Sequence, residues 1–238
     1  MSHDKTTDEV IAALGRFKPK SIFLYGSRGR EDFKEDSDYE IGVIFDDDKY
    51  VSRIEIHDAI SNPLVKAYPF KWSELLHGTF GHVFQKSIYL REIIMGGKTI
   101  SGEDLIVQIP PPPITTLDLI QRIRFDIGMA LAALLSFRAG DKQTSMEEFS
   151  KSCFFGVRCL EILELNTFPL GYDEIYEMSS KVVKEPNYLK VIVAAHKLRD
   201  EGLVADIDTL YENISLLDSL IEPKILKAFE TSGNQQVI

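Results

Sequence analysis

The chain has 238 residues and a mass of 27.0 kDa, enough for one large domain or two small ones at roughly 100–200 residues each. With 44% hydrophobic and 27% charged residues, and no apolar run long enough for a membrane span, it reads as a soluble globular protein. A net charge of −10 argues against wholesale binding to duplex nucleic acid and leaves room for a cationic or metal-chelated substrate.

Met1-Ser2-His3-Asp4-Lys5 opens a polar run with no apolar signal core, so no secretory signal is expected and the expected compartment is the cytoplasm. Asp8 to Phe17 has helical apolar spacing and is stopped by Pro19. Ser21 to Tyr25 is a short β-rich run that ends at Gly26. A polar loop follows, then a second strand from Tyr39 to Phe45, closed by Asp46-Asp47-Asp48. Tyr50 to Ile60 is expected to be helical, Leu64 to Phe70 a third strand, and Val83 to Met95 a helix that stops at Gly96-Gly97.

Pro110-Pro111-Pro112-Pro113 cannot lie within a helix and reads as a semi-rigid spacer. The expected domains are therefore 1–109 and 114–238, joined by 110–113. Up to Pro110 there are 14 basic and 18 acidic residues, and 13 and 19 beyond it, so neither part resembles a nucleic-acid arm. Beyond the prolines, Leu117–Phe137, Met146–Leu165, Tyr172–Val183, Tyr188–Glu201 and Asp206–Ile221 all carry helical spacing, which predicts an all-α bundle. The tail from Thr231 is polar and is expected to fray. Cys153 and Cys159 have neither metal nor redox spacing and read as buried structural thiols.

One constellation carries chemistry. The first strand ends in Gly26-Ser27, and some ten residues later Asp38 and Glu40 stand two apart at the start of the next strand. Period-2 geometry puts both carboxylates on one face, where they can hold a hard divalent cation through oxygen. Gly26 lets the backbone approach phosphates, and the Ser27 hydroxyl can bond one. Arg28 and Arg30 could touch a triphosphate, or could balance Glu31, Asp32 and Glu35. Asp46-Asp47-Asp48 reads more readily as a polar turn than as a chelate.

The segment Ser37-Asp38-Tyr39-Glu40-Ile41 after Gly26-Ser27 resembles the DNA polymerase beta-like nucleotidyltransferase superfamily, in detail over about Ile22 to Phe45 and loosely to about Leu105. The resemblance implies an α/β (α+β) domain with a small mixed sheet. In it Asp38 and Glu40 would be the catalytic, Mg²⁺-binding acids, and Gly26, Ser27 and Arg28 would bind nucleotide. It implies transfer of NMP from Mg-NTP, with ATP the expected nucleotide, to a hydroxyl of a small-molecule or protein acceptor. The alternative is a nucleotide-binding or regulatory module with weak or no turnover, such as an antitoxin-like partner protein. No membrane partner and no duplex nucleic acid are expected, and the pattern is compatible with a homodimer.

The second half, around Glu148 to Leu163, is similar to the helical bundles of HEPN proteins and kanamycin nucleotidyltransferase. No His follows Arg158 at the HEPN ribonuclease spacing, so ribonuclease activity is not expected. The superfamily also implies a third carboxylate on a later strand, yet Leu64 to Phe70 has none, with Lys66 or Tyr68 in its place. Glu74 is the nearest acid, and Glu161 of the bundle is an alternative base.

Overall fold

In a computed structural model, which describes residues 4–35, 37–78 and 86–238, the chain divides into two compact units, Met1–Pro112 and Pro113–Ile238. The first begins with α1 (Lys5–Gly15), capped by the Asp4 carboxylate, which accepts from the Thr7 amide at 2.7 Å. β1 (Ser21–Tyr25) runs into a single helical turn, α2 (Gly26–Arg30), and β2 (Tyr39–Phe45) follows. α3 (Arg53–Ala59) starts three residues later than the apolar spacing suggests, because Ser52 and Glu55 form a capping box there. Then come β3 (Val65–Lys71), α4 (Trp72–Leu76), α5 (Lys86–Gly96), β4 (Lys98–Gly102) and a 3₁₀ turn at Ile106–Gln108. Residues 83–85 of the helix expected over Val83 to Met95 lie outside the described residues.

The strands form one mixed sheet in the order β3-β2-β1-β4. β1 is antiparallel to both neighbours, and β3 is parallel to β2, the crossover being α3. Alternation then sorts the side chains. Tyr39, Ile41, Val43 and Phe45 bury with Val10, Leu14 and Ile56 in a core that includes residues of α1 and α3. Phe23, Tyr25, Ile44 and Phe70 bury with Leu90 and Ile93 of α5 on the opposite face. Gly42 is part of that second face, and a Cβ there would lie 2.0 Å from the Phe23 ring.

The second unit is helical: α6 (Thr116–Ala139), α7 (Lys142–Leu165), α8 (Tyr172–Val182), α9 (Pro186–Glu201) and α10 (Ile207–Ser215). α10 continues through a π-helical segment, Leu216–Ile221, into α11 (Glu222–Ser232). This last helix is missing from the sequence expectation; Pro223, which has no amide to donate, stands just after the π-helical segment. α6 and α7 are joined through Gly140 at φ +88°. Cys153 and Cys159 are free and buried. The tail does not fray: the Ile238 carbonyl accepts from the Ile114 amide at 2.9 Å, and the Val237 amide donates to the Ile114 carbonyl at 2.8 Å.

Candidate active site

The site is built where β1 stops. Tyr25 is paired with Glu40 across the β1–β2 ladder, so the end of one strand meets the start of the next. Gly26 then takes φ +64°, a left-handed conformation that side chains disfavour. A Cβ at Gly26 would lie 1.8 Å from Glu40 Oε2. The glycine is therefore the notch in which the Glu40 carboxylate rests. Tyr25, the residue before α2, makes no side-chain capping bond to that turn.

Asp38 is exposed just before β2, and Glu40 is partly buried within it. Glu40 lies next to the Gly26–Ser27 turn, and Asp38 stands two residues before it at the entry to the strand. Two carboxylates and a glycine-made notch form an all-oxygen donor set suited to a hard divalent cation. Ser27 is partly exposed at the same turn.

Arg28, expected to bind nucleotide, makes its hydrogen bonds to the backbone of the loop that follows it. Its Nε donates to the Ser37 carbonyl at 3.0 Å, and its Nη2 donates to the carbonyls of Ser37 and Glu35 at 2.9 and 3.1 Å. The guanidinium also lies 3.7 Å from the Tyr39 ring centroid and 4.5 Å from that of Phe33. With the residue only 9% exposed, this fork clamps the loop immediately before Asp38. Arg30 pairs with Asp32 at 3.2 Å, and Lys98 pairs with Glu31, so the loop charges are balanced locally. The aspartates after β2 act as a turn: Asp46 pairs with Lys20 at 3.2 Å, and Asp47 accepts from the Ser73 amide at 2.9 Å. That backbone hydrogen bond holds the Asp47 carboxyl below its ordinary value.

β3 carries no carboxylate beside the pair. Lys66 stands opposite Glu40 and Tyr68 opposite Gly42. Lys66 donates to the Pro63 carbonyl at 2.9 Å, and Tyr68 accepts from Arg53 at 3.1 Å. Glu74 is used as a cap, accepting from the Lys71 amide at 3.3 Å. Glu161, the alternative base, is fully buried in the second unit, where burial pushes its carboxyl up to about 8. It presents no surface to a substrate.

Sequence reasoning missed the aromatic wall beside Glu40. Tyr25, Tyr68 and Tyr89 gather there, with Tyr25–Tyr68 and Tyr25–Tyr89 ring centroids 6.5 and 6.3 Å apart. The β1–β2 pairing could have placed Tyr25, but Tyr89 comes from α5 and needs the tertiary fold. In the second unit, His196 of α9 lies between Asp173 (3.3 Å) and Asp200 (3.0 Å), which is a separate cluster from Asp38 and Glu40.

With this geometry in place, comparison with known proteins defines the class. Residues 9–100 match the family model described as polymerase beta, nucleotidyltransferase. The match covers most of the first unit and is to a nucleotidyltransferase domain of the polymerase beta type. Among solved structures, it is similar to spectinomycin adenyltransferase AAD(9) from Enterococcus faecialis, solved with ATP and spectinomycin. The two are 13% identical, with a TM-score of 0.59, over 93% of this chain and 98% of that one. At that identity the likeness speaks for the fold, which in both is a nucleotidyltransferase sheet domain with a helical bundle. A nucleotidyltransferase-like protein from Exiguobacterium sibiricum aligns at 12% identity over 95% of this chain and 77% of that one. Its TM-score of 0.32 carries no argument. No match was found among curated protein sequences. No described helix is long and apolar enough to cross a membrane.

Proposed function

We propose that the protein transfers NMP from Mg²⁺-bound ATP to a hydroxyl of a small-molecule or protein acceptor. The observation that carries this reading is the Glu40 carboxylate seated against Gly26, with Asp38 two residues before it at the entry to β2. Asp38 and Glu40 would hold the metal, which supplies charge neutralisation at the α-phosphate and at the departing pyrophosphate. The backbone of Gly26 and Ser27 would bind phosphate oxygens, and the Ser27 hydroxyl would donate to one of them. Arg28 would serve as a positioning residue, fixing the peptide that precedes Asp38. The AAD(9) structure, solved with ATP and spectinomycin, supports ATP as donor and a small molecule as acceptor.

The absence of an acid at Lys66 and Tyr68 favours a second reading, in which nucleotide binds without transfer. Pyrophosphate release from ATP, measured with and without Mg²⁺ over a panel of hydroxyl acceptors, separates the two. Asp38→Asn should abolish a Mg²⁺-dependent release by the wild type. Equal rates from both proteins would sink the transferase reading, and nucleotide binding with no release would establish the second.

A further inference from the structure

The proposed transfer leaves unused a pair of tyrosines beside the carboxylates. Tyr25 is the last residue of β1, is 3% exposed, and leaves the sheet on the face that carries Glu40. Its hydroxyl lies 3.1 Å from that of Tyr89 on α5, with the rings edge to face. Tyr25 is also covalently joined to Gly26, the residue against which the Glu40 carboxylate rests. Thus one hydroxyl pair is connected to the metal acid through a strand pairing and to the phosphate turn through a peptide bond.

We infer that Tyr89, through its hydroxyl bond to Tyr25, is a positioning residue of the transfer site: it ties α5 to the end of β1 and fixes Glu40 relative to the Gly26–Ser27 turn. The assignment concerns the hydroxyl, because a ring alone would suffice to fill the core. Burial raises both phenols far above their ordinary range, and the Glu40 charge adds to this, so both remain protonated donors. Groups that fix the position of a metal ligand without touching the metal tune its affinity.

This inference rests on the proposed transfer reading, and the test separates the two. Mn²⁺ is titrated into the full chain in the presence of a non-hydrolysable ATP analogue and followed by water-proton relaxation. Asp38→Asn should weaken Mn²⁺ binding. Tyr89→Phe, which keeps the ring, should weaken it by about tenfold, the lower end of what loss of an outer-shell partner costs in metal affinity. The Mg²⁺ concentration for half-maximal pyrophosphate release should rise by a similar factor, with kcat at saturating Mg²⁺ and the Tm close to wild type. If Asp38→Asn weakens binding and Tyr89→Phe does not, the inference is overturned and the transfer reading stands. A lowered Tm with unchanged metal dependence would likewise overturn it, making Tyr89 structural. If Asp38→Asn leaves Mn²⁺ binding unchanged, the site assignment falls and takes this inference with it.

Discussion

Gly26 is where backbone conformation and chemistry meet. Its positive φ turns the chain out of β1, and its missing side chain makes room for Glu40. Gly26→Ala violates both conditions, and the atom it would strike is the carboxylate oxygen itself. Glu40 can swing away, so the expected outcome is a folded protein with a displaced ligand. We expect a loss of pyrophosphate release of about 10²-fold, the scale of a misplacement of about 1 Å, with a fall in stability of about 1 kcal/mol from the left-handed strain. Activity and Tm measured together test this, since a large Tm loss with little activity loss would contradict it. Arg28 makes a related case. Its three bonds go to carbonyl oxygens, so Arg28→Lys cannot restore the fork. Both Arg28→Ala and Arg28→Lys should speed limited proteolysis in the loop between α2 and β2, with the alanine variant cut faster.

At the scale of elements, β1, β2 and β3 were legible because apolar β-rich runs bounded by Gly, Pro and Asp admit few other readings. β4 was not, because Lys98-Thr99-Ile100-Ser101-Gly102 has one buried apolar residue and takes its strand form from pairing with β1. The turn α2 was equally hidden, since Gly-Ser-Arg-Gly-Arg has poor helix propensity. The proposed pair, Asp38 and Glu40, rests on its spacing, whereas the use of Arg28 as a clamp depended on the path of a loop. α7 shows the same limit. Its periodicity did not reveal that Glu161 faces inward, with neither carboxylate oxygen hydrogen-bonded among the described residues. Burial raises that carboxyl from its ordinary 4.5 to about 8, against an opposing pull from Arg158. Between those values the folded chain holds a proton that the unfolded chain has lost, so stability falls as pH rises through this window. Glu161→Gln should flatten that slope and melt above the wild type at the upper end of the window, by about 2–4 °C for each kcal/mol recovered. Parallel melting curves for the two proteins across the window would contradict the assignment.

At the scale of the whole molecule, the boundary at Pro112–Pro113 has a counterpart at the other end of the chain. The second unit closes on itself. Besides the two bonds at Ile114, the Thr116 amide donates to the Gln235 carbonyl at 3.0 Å, and the Thr116 hydroxyl donates to the Gly233 carbonyl at 3.0 Å. The Asn234 side chain accepts from the Leu117 amide at 3.1 Å. These partners occupy amides at the start of α6, groups that a helix cannot satisfy internally. A unit whose two ends meet, and whose buried Phe149, Phe154 and Leu217 pack within it, has what independent folding requires. Residues 113–238 expressed alone should therefore give a helical circular dichroism spectrum and a cooperative melt. Removing 234–238 from the full chain deletes the tail's bonds to residues 114–117. The unit that contains α6 should then melt lower, by about 2–4 °C for each kcal/mol lost, and the amides of Ile114, Thr116 and Leu117 should lose hydrogen-exchange protection. Nucleotide binding by the first unit should persist in the truncated chain, because Gly26, Asp38 and Glu40 all belong to that unit and the deleted tail to the other. A loss of nucleotide binding on truncation would show that the site needs the bundle intact.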